Sequence, residues 1–210
     1  MKKFLYMLLI ALPFLMCNAC SNFENLPDST IHESDSRKML ACKSMEQSLC
    51  KVGESLSEDS TLLNTLYSLY DKNATRSENV HSADSCIEAQ KIVDALDKSS
   101  EDVFTAFQVE DTDSLTANEK RIVALALYAE YMDQHEFTTR GGTISGNHYV
   151  DCLTSALGIK ELTKISKSGI EKYIKKYGAK KALKLMGKCA GKTLSYVGWG
   201  LAIYDFITCL

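Results

Sequence analysis

The sequence predicts an all-α protein, an irregular helical bundle closed by a basic C-terminal helical hairpin. Three observations carry that expectation. Only two prolines and eleven glycines interrupt 210 residues, which leaves long segments free to be helical. Apolar residues recur at three- and four-residue steps, the period of one helix face. A capping-box pattern, Thr116-Ala-Asn-Glu119, opens the apolar run at 121–132. With 45% hydrophobic and 24% charged residues the chain can bury a core and does not have the composition of a disordered polymer.

Taken in order, Met39, Cys42, Met45, Leu49 and Val52 make one face of a first helix, which Gly53 is expected to end. Ser60 can cap a second helix carrying Leu62, Leu63, Leu66, Tyr67, Leu69 and Tyr70. The polar run 71–82, with His81 in it, reads as a loop. Cys86, Ala89, Val93 and Leu96 form a third face, and 103–109 a separate short apolar piece. Residues 122–129 are apolar all round, so that helix belongs at the centre, surrounded by others. Glycines and β-branched residues cluster at 137–146, which predicts a hinge or short hairpin; no Gly-Lys-Ser/Thr follows, so it is not a phosphate-binding loop. From Leu162 onward Ile165, Gly169, Ile170, Tyr173, Ile174 and Tyr177 form an apolar stripe among lysines, a basic amphipathic helix that continues beyond a joint at Gly178. Gly187 and Gly191 give a small-xxx-small spacing for close helix approach. The last run, 193–204, is uncharged and holds the only tryptophan, Trp199, between two glycines.

Charge divides along the chain. Residues 21–159 hold 11 Lys and Arg against 24 Asp and Glu, whereas 160–192 hold 11 Lys against 2 Glu. An acidic body with a basic tail suggests a membrane surface, an acidic partner, or a tail masked by its own body until proteolysis at 141–146 releases it. Lys172, Lys175, Lys176, Lys180, Lys181 and Lys184, with Trp199 as an interfacial aromatic, are the expected contact residues. Nucleic acid is a poor match, because the tail has no arginine and no RNA-binding aromatic motif. The apolar run of about twelve residues falls short of the roughly twenty that span a bilayer.

Lys2 and Lys3 precede a short apolar stretch at 4–16, the layout of a secretory signal. Leu15-Met-Cys-Asn-Ala-Cys-Ser21 resembles the processing site of bacterial lipoproteins, with Cys20, preceded by the small Ala19, as the acylated residue. Cys17 stands where that pattern usually has Leu. The resemblance covers only the first twenty or so residues and implies export and a lipid anchor in the cell envelope, not an activity. It divides the chain into a signal at 1–19, a tether at 20–37, an acidic helical domain at 38–139, a glycine-rich hinge at 140–147 and a basic helical region at 148–210.

With Cys17 removed and Cys20 acylated, Cys42, Cys50, Cys86, Cys152, Cys189 and Cys209 remain, an even set that in an exported protein favours disulfides. Cys42 and Cys50 share a helix about 12 Å apart, beyond disulfide reach, so each would bridge elsewhere. Cys189 and Cys209 are the expected pair if the chain reverses at 196–200. His148, Asp151 and Cys152 can share a helix face, a spacing that a thiol nucleophile and its base could use. A helix cap plus disulfide is the better reading in an oxidising compartment. The same His and Cys lack the second ligand pair that zinc needs, so no metal and no cofactor are expected.

Lysine-rich helix, glycine joints and an apolar Gly/Trp/Tyr end also resemble the helical membrane-active bacteriocins in composition and order. That resemblance implies bilayer permeabilisation, although Gly141-Gly142 lies too deep to be their double-glycine leader. The expected function is therefore that of a lipid-anchored extracytoplasmic helical protein without catalysis. Its basic region would contact a membrane or an acidic partner, and a membrane-active toxin or its precursor is the alternative.

Overall fold

Caps and apolar spacing set the helices of the computed structural model, which describes residues 33–58, 60–75, 83–136, 147–159, 161–186 and 195–210. Among these there are nine α-helices and no strand: α1 Glu33–Glu58, α2 Ser60–Thr75, α3 Ala83–Phe107, α4 Ala117–Glu136, α5 His148–Leu157, α6 Leu162–Ser166, α7 Ile170–Tyr177, α8 Ala179–Met186 and α9 Tyr196–Cys209. The all-α helical bundle read from the sequence is the fold. Expectations that fall on Cys17, Cys20 and the rest of 1–32, on His81, on the glycine-rich 137–146 and on Cys189 with its flanking glycines lie outside the described residues, as does the Cys86 side chain.

The capping box forms as its pattern predicts. The Glu119 backbone N–H donates to Thr116 Oγ1 at 3.3 Å, and the Thr116 N–H donates back to Glu119 Oε2 at 2.8 Å. Beyond it every residue from 121 to 132 is buried. α4 is thus the central helix, and α1, α3, α5, α7 and α8 pack around it.

α1 runs through Gly53 to Glu58 instead of stopping there. A Cβ at Gly53 would meet Ile207 Cγ2 at 3.2 Å, so the glycine lets α9 approach and does not end the helix. The helix also starts at Glu33, inside the stretch expected to be tether. α3 joins the two apolar pieces read separately. Ser99 and Ser100 sit buried at the join, where each hydroxyl donates to the carbonyl four residues back, at Ala95 and Leu96. Antiparallel packing of α1 on α3 is recorded in the Ser48–Ser99 hydroxyl contact at 2.6 Å and in Ser44 donating to Asp102 at 3.1 Å.

The basic amphipathic helix expected from Leu162 is broken into α6 and α7. Gly169 at φ +85° and Gly178 at φ +84° put the chain where other residues are strained, which makes one corner before α7 and another before α8. α9, apolar nearly all round, is inserted among α1, α2, α3 and α5. Val197, Trp199, Leu201, Ile203 and Phe206 are buried there in the same cluster as the α1, α4 and α7 apolar faces. The acidic and basic segments therefore share one core, within a compact unit that runs from Glu33 to Leu210.

Candidate functional site

Two carboxylates of α4, one turn apart, hold the C-terminal region to the centre. Glu130 accepts the backbone N–H groups of Ile170 and Glu171, the latter at 2.8 Å, and so caps α7. Asp133 accepts those of Tyr149 at 2.8 Å and Val150 at 3.0 Å and caps α5. Burial pushes both carboxyls above their ordinary range, and the amide N–H donors only partly offset it. Beside Glu130 a polar cleft of about 280 Å³ is lined by Gln134, Ser166, Lys167, Gly169 and Lys172. Its anion-attracting helix end is already occupied by the Glu130 carboxylate.

On these caps sits the basic face. Ile165, Ile170 and Ile174 of the apolar stripe read from the sequence turn into the core, as do Ala179, Ala182, Leu183 and Met186 beyond the joint, whereas Tyr173 is half-buried and Tyr177 is exposed. Lys164, Lys167, Lys172, Lys175, Lys176, Lys180, Lys181 and Lys184 are all exposed. Lys180 reaches the acidic body, with Nζ 3.4 Å from Glu119 and donating to the Ser114 carbonyl at 2.9 Å. Lys164 and Lys175 pair within their own region, with Glu161 and Glu171. Among the described residues no ion pair joins the other five to the body, so the region docks on it chiefly by buried apolar side chains, with Lys180 as its one lysine paired to the body. In one contact the polarity is reversed, since Lys38 of α1 reaches into the basic region to Glu171 Oε1 at 2.7 Å. Burial raises the Glu171 carboxyl, but Lys175 and Lys38 together outweigh it and leave the group below the ordinary range.

Tyr177 stands at the joint between α7 and α8, 41% exposed, with Lys176 Nζ 4.9 Å and Lys181 Nζ 5.9 Å from its ring centre. Leu185, 48% exposed, adds an apolar tip among the lysines. Leu185 was not picked out by sequence reading, and Tyr177, read there as the end of the apolar stripe, is instead exposed beside lysines.

Trp199 is not at the surface. It is 0% exposed, its Nε1–H donates to Asn118 Oδ1 at 2.8 Å, and the Arg121 guanidinium lies 5.6 Å from its ring centre. Both flanking glycines are buried with it, and Gly200 packs on Leu66, whose Cδ1 a Cβ there would meet at 3.4 Å. The cysteines differ too. Cys209 bonds to Cys152, not to Cys189, because 196–209 is one continuous helix whose end lies at α5. Cys50 is also disulfide-bonded, whereas Cys42 is a free buried thiol that burial pushes far above its ordinary range. The His148 Nδ1 does lie 3.9 Å from Cys152 Sγ, but that sulfur is in a disulfide and is no nucleophile in this state. Among the described residues no three His, Cys, Asp or Glu side chains gather as metal ligands would, and no helix is long and apolar enough to cross a membrane.

No family model, no curated protein and no solved structure matches this chain.

Proposed function

We propose that this chain is an exported, lipid-anchored helical protein that contacts a membrane or an acidic partner through the basic face of α6, α7 and α8. The observation that carries the reading is the face itself: eight exposed lysines, of which Lys180 alone pairs with the acidic body among the described residues. Clustered charge of one sign on a folded surface repels itself and attracts anionic species, and Lys167, Lys172, Lys176, Lys181 and Lys184 make no ion pair among the described residues. Cys20, in its lipoprotein-like setting, supports an acyl anchor and an envelope location. Permeabilisation of a bilayer fits less well, since Ile170, Ile174, Leu183 and Met186 would first have to leave the core.

Two measurements test the reading. Cells fed an alkyne palmitate analogue should label the wild-type chain and not Cys20→Ala; equal labelling of both, or of neither, removes the anchor. The unacylated Cys20→Ser chain should be retained on an immobilised polyanion and elute with salt, and Gln at Lys172, Lys175, Lys176, Lys181 and Lys184 should shift elution to much lower salt. Unchanged elution would remove the basic face from the function.

A further inference from the structure

The basic face and the point where the chain enters the fold lie together. Lys38, on the second turn of α1, meets Glu171 of α7 at 2.7 Å, and the same carboxylate oxygen takes Lys175 at 2.7 Å. The Lys38 side chain is only 14% exposed, so this join is enclosed and orders both helices, unlike an exposed ion pair. Glu33 is five residues from Lys38, about 7.5 Å along a helix axis. The polypeptide therefore enters the fold within about two helical turns of the Lys38–Glu171–Lys175 join at the edge of the basic face. Cys20 is thirteen residues before Glu33, a reach of at most about 45 Å.

Resting on the reading above, we infer that the anionic surface met by this face is the phospholipid leaflet to which the N-terminus itself is anchored. One acyl-bearing residue and one basic face would then form a two-point attachment, with α7 and α8 turned toward the bilayer. Three features favour lipid over an acidic protein. Every cation on the face is lysine, a compact charge suited to a diffuse field of headgroups, whereas docking on carboxylates at fixed positions favours the arginine fork. Tyr177 and Leu185 project among those lysines, an aromatic and an aliphatic tip of the kind that settles at the headgroup boundary. Tethering at Cys20 makes the second contact intramolecular, so a weak face suffices.

The test replaces the acyl group by an N-terminal hexahistidine on the full Cys20→Ser mature chain and holds it on nickel-chelating vesicles of phosphatidylcholine, with or without phosphatidylglycerol. Lysine acetylation is then read by mass spectrometry, with exposed Lys51 and Lys98 as internal references. With phosphatidylglycerol the acetylation of Lys175, Lys176, Lys181 and Lys184 should fall at least roughly threefold relative to the references, and recover in 0.5 M salt, as a screened contact requires. The Tyr177→Ser, Leu185→Ser variant should lose most of that protection while its thermal midpoint stays unchanged. Equal acetylation with and without phosphatidylglycerol overturns the inference. The untethered chain separates the two failures. If it binds phosphatidylglycerol vesicles while the tethered chain shows no protection, only the shared-leaflet geometry falls. If it binds no vesicle but is still retained on the polyanion, the face belongs to an acidic protein and the lipid inference falls alone.

Discussion

Asn118 shows how much one side chain can settle in this fold. Its Oδ1 accepts both the Trp199 indole N–H and an Arg121 N–H, each at 2.8 Å, while Arg121 also donates to both oxygens of Asp97 at 2.6 and 2.7 Å. α3, α4 and α9 are thereby joined by one partly buried polar chain, with Trp199 and Arg121 at its buried end and Asp97 toward solvent. Asn118→Ala should strand the indole N–H in the core and cost about 1–3 kcal/mol in urea unfolding, and Trp199→Phe should cost less in that background than in wild type, because the acceptor of the indole N–H is already gone. Full additivity of the two would show that the bond does not matter. At this scale the sequence was legible where a signal is local. Thr116 and Glu119 announce their own partnership three residues apart. Asn118 gives no such notice, because its partner lies 81 residues away. Trp199 misled for the same reason: two glycines beside a tryptophan fit a bilayer boundary and a tight core equally well, and only Leu66 and Asn118 decide it.

Among elements, the short helices α5 and α7 depend on acids that belong to α4. Neither has a side-chain cap of its own: Asn147 and Gly169, which precede them, make no side-chain capping bond. Asp133 and Glu130 supply it from 16 and 40 residues away, which is why periodicity found the apolar stripes but not what fixes their ends. The caps leave a signature in pH. The Glu130 carboxyl is held above its ordinary value, so the native state binds that proton more tightly than the unfolded chain does. Its contribution is fully present below the unfolded value near 4.5 and is lost as pH rises through the folded one. Glu171 is held below its ordinary value, so its contribution is present above the unfolded value and is lost as pH falls through the folded one. The stability difference between wild type and Glu130→Gln should therefore shrink from pH 4 to pH 7, while that between wild type and Glu171→Gln should grow from pH 3 to pH 5. Parallel pH profiles from denaturant melts would contradict the assignment of the two carboxylates to opposite roles.

For the whole molecule, the division into acidic and basic parts is real in the sequence, but among the described residues the fold draws on it for one direct ion pair, Lys180 with Glu119. Apolar burial holds the parts together, through Ile170, Ile174, Leu183 and Met186 and along α9 from Val197 to Phe206. The Cys152–Cys209 disulfide adds a covalent closure across 57 residues, fastening the end of the last helix to α5. A loop of that length removes unfolded-chain entropy worth about 4 kcal/mol in the simplest treatment, with measured losses of about 2–5 kcal/mol when such a bond is deleted. Cys209 is exposed and Cys152 buried, so Cys209→Ser deletes the bond without placing a hydroxyl in the core. The variant should unfold at lower denaturant, down by about 2–5 kcal/mol, yet keep the native helical circular dichroism and a buried Trp199, because Leu201, Ile203 and Phe206 hold α9 without the bond. Red-shifted tryptophan emission in the folded variant would mean that the closure, and not the apolar face, seats the last helix. Retention of the basic face on a polyanion should be the same in both proteins, since α7 is capped from α4 by Glu130 and α8 is seated by buried Ala182, Leu183 and Met186, neither through the disulfide.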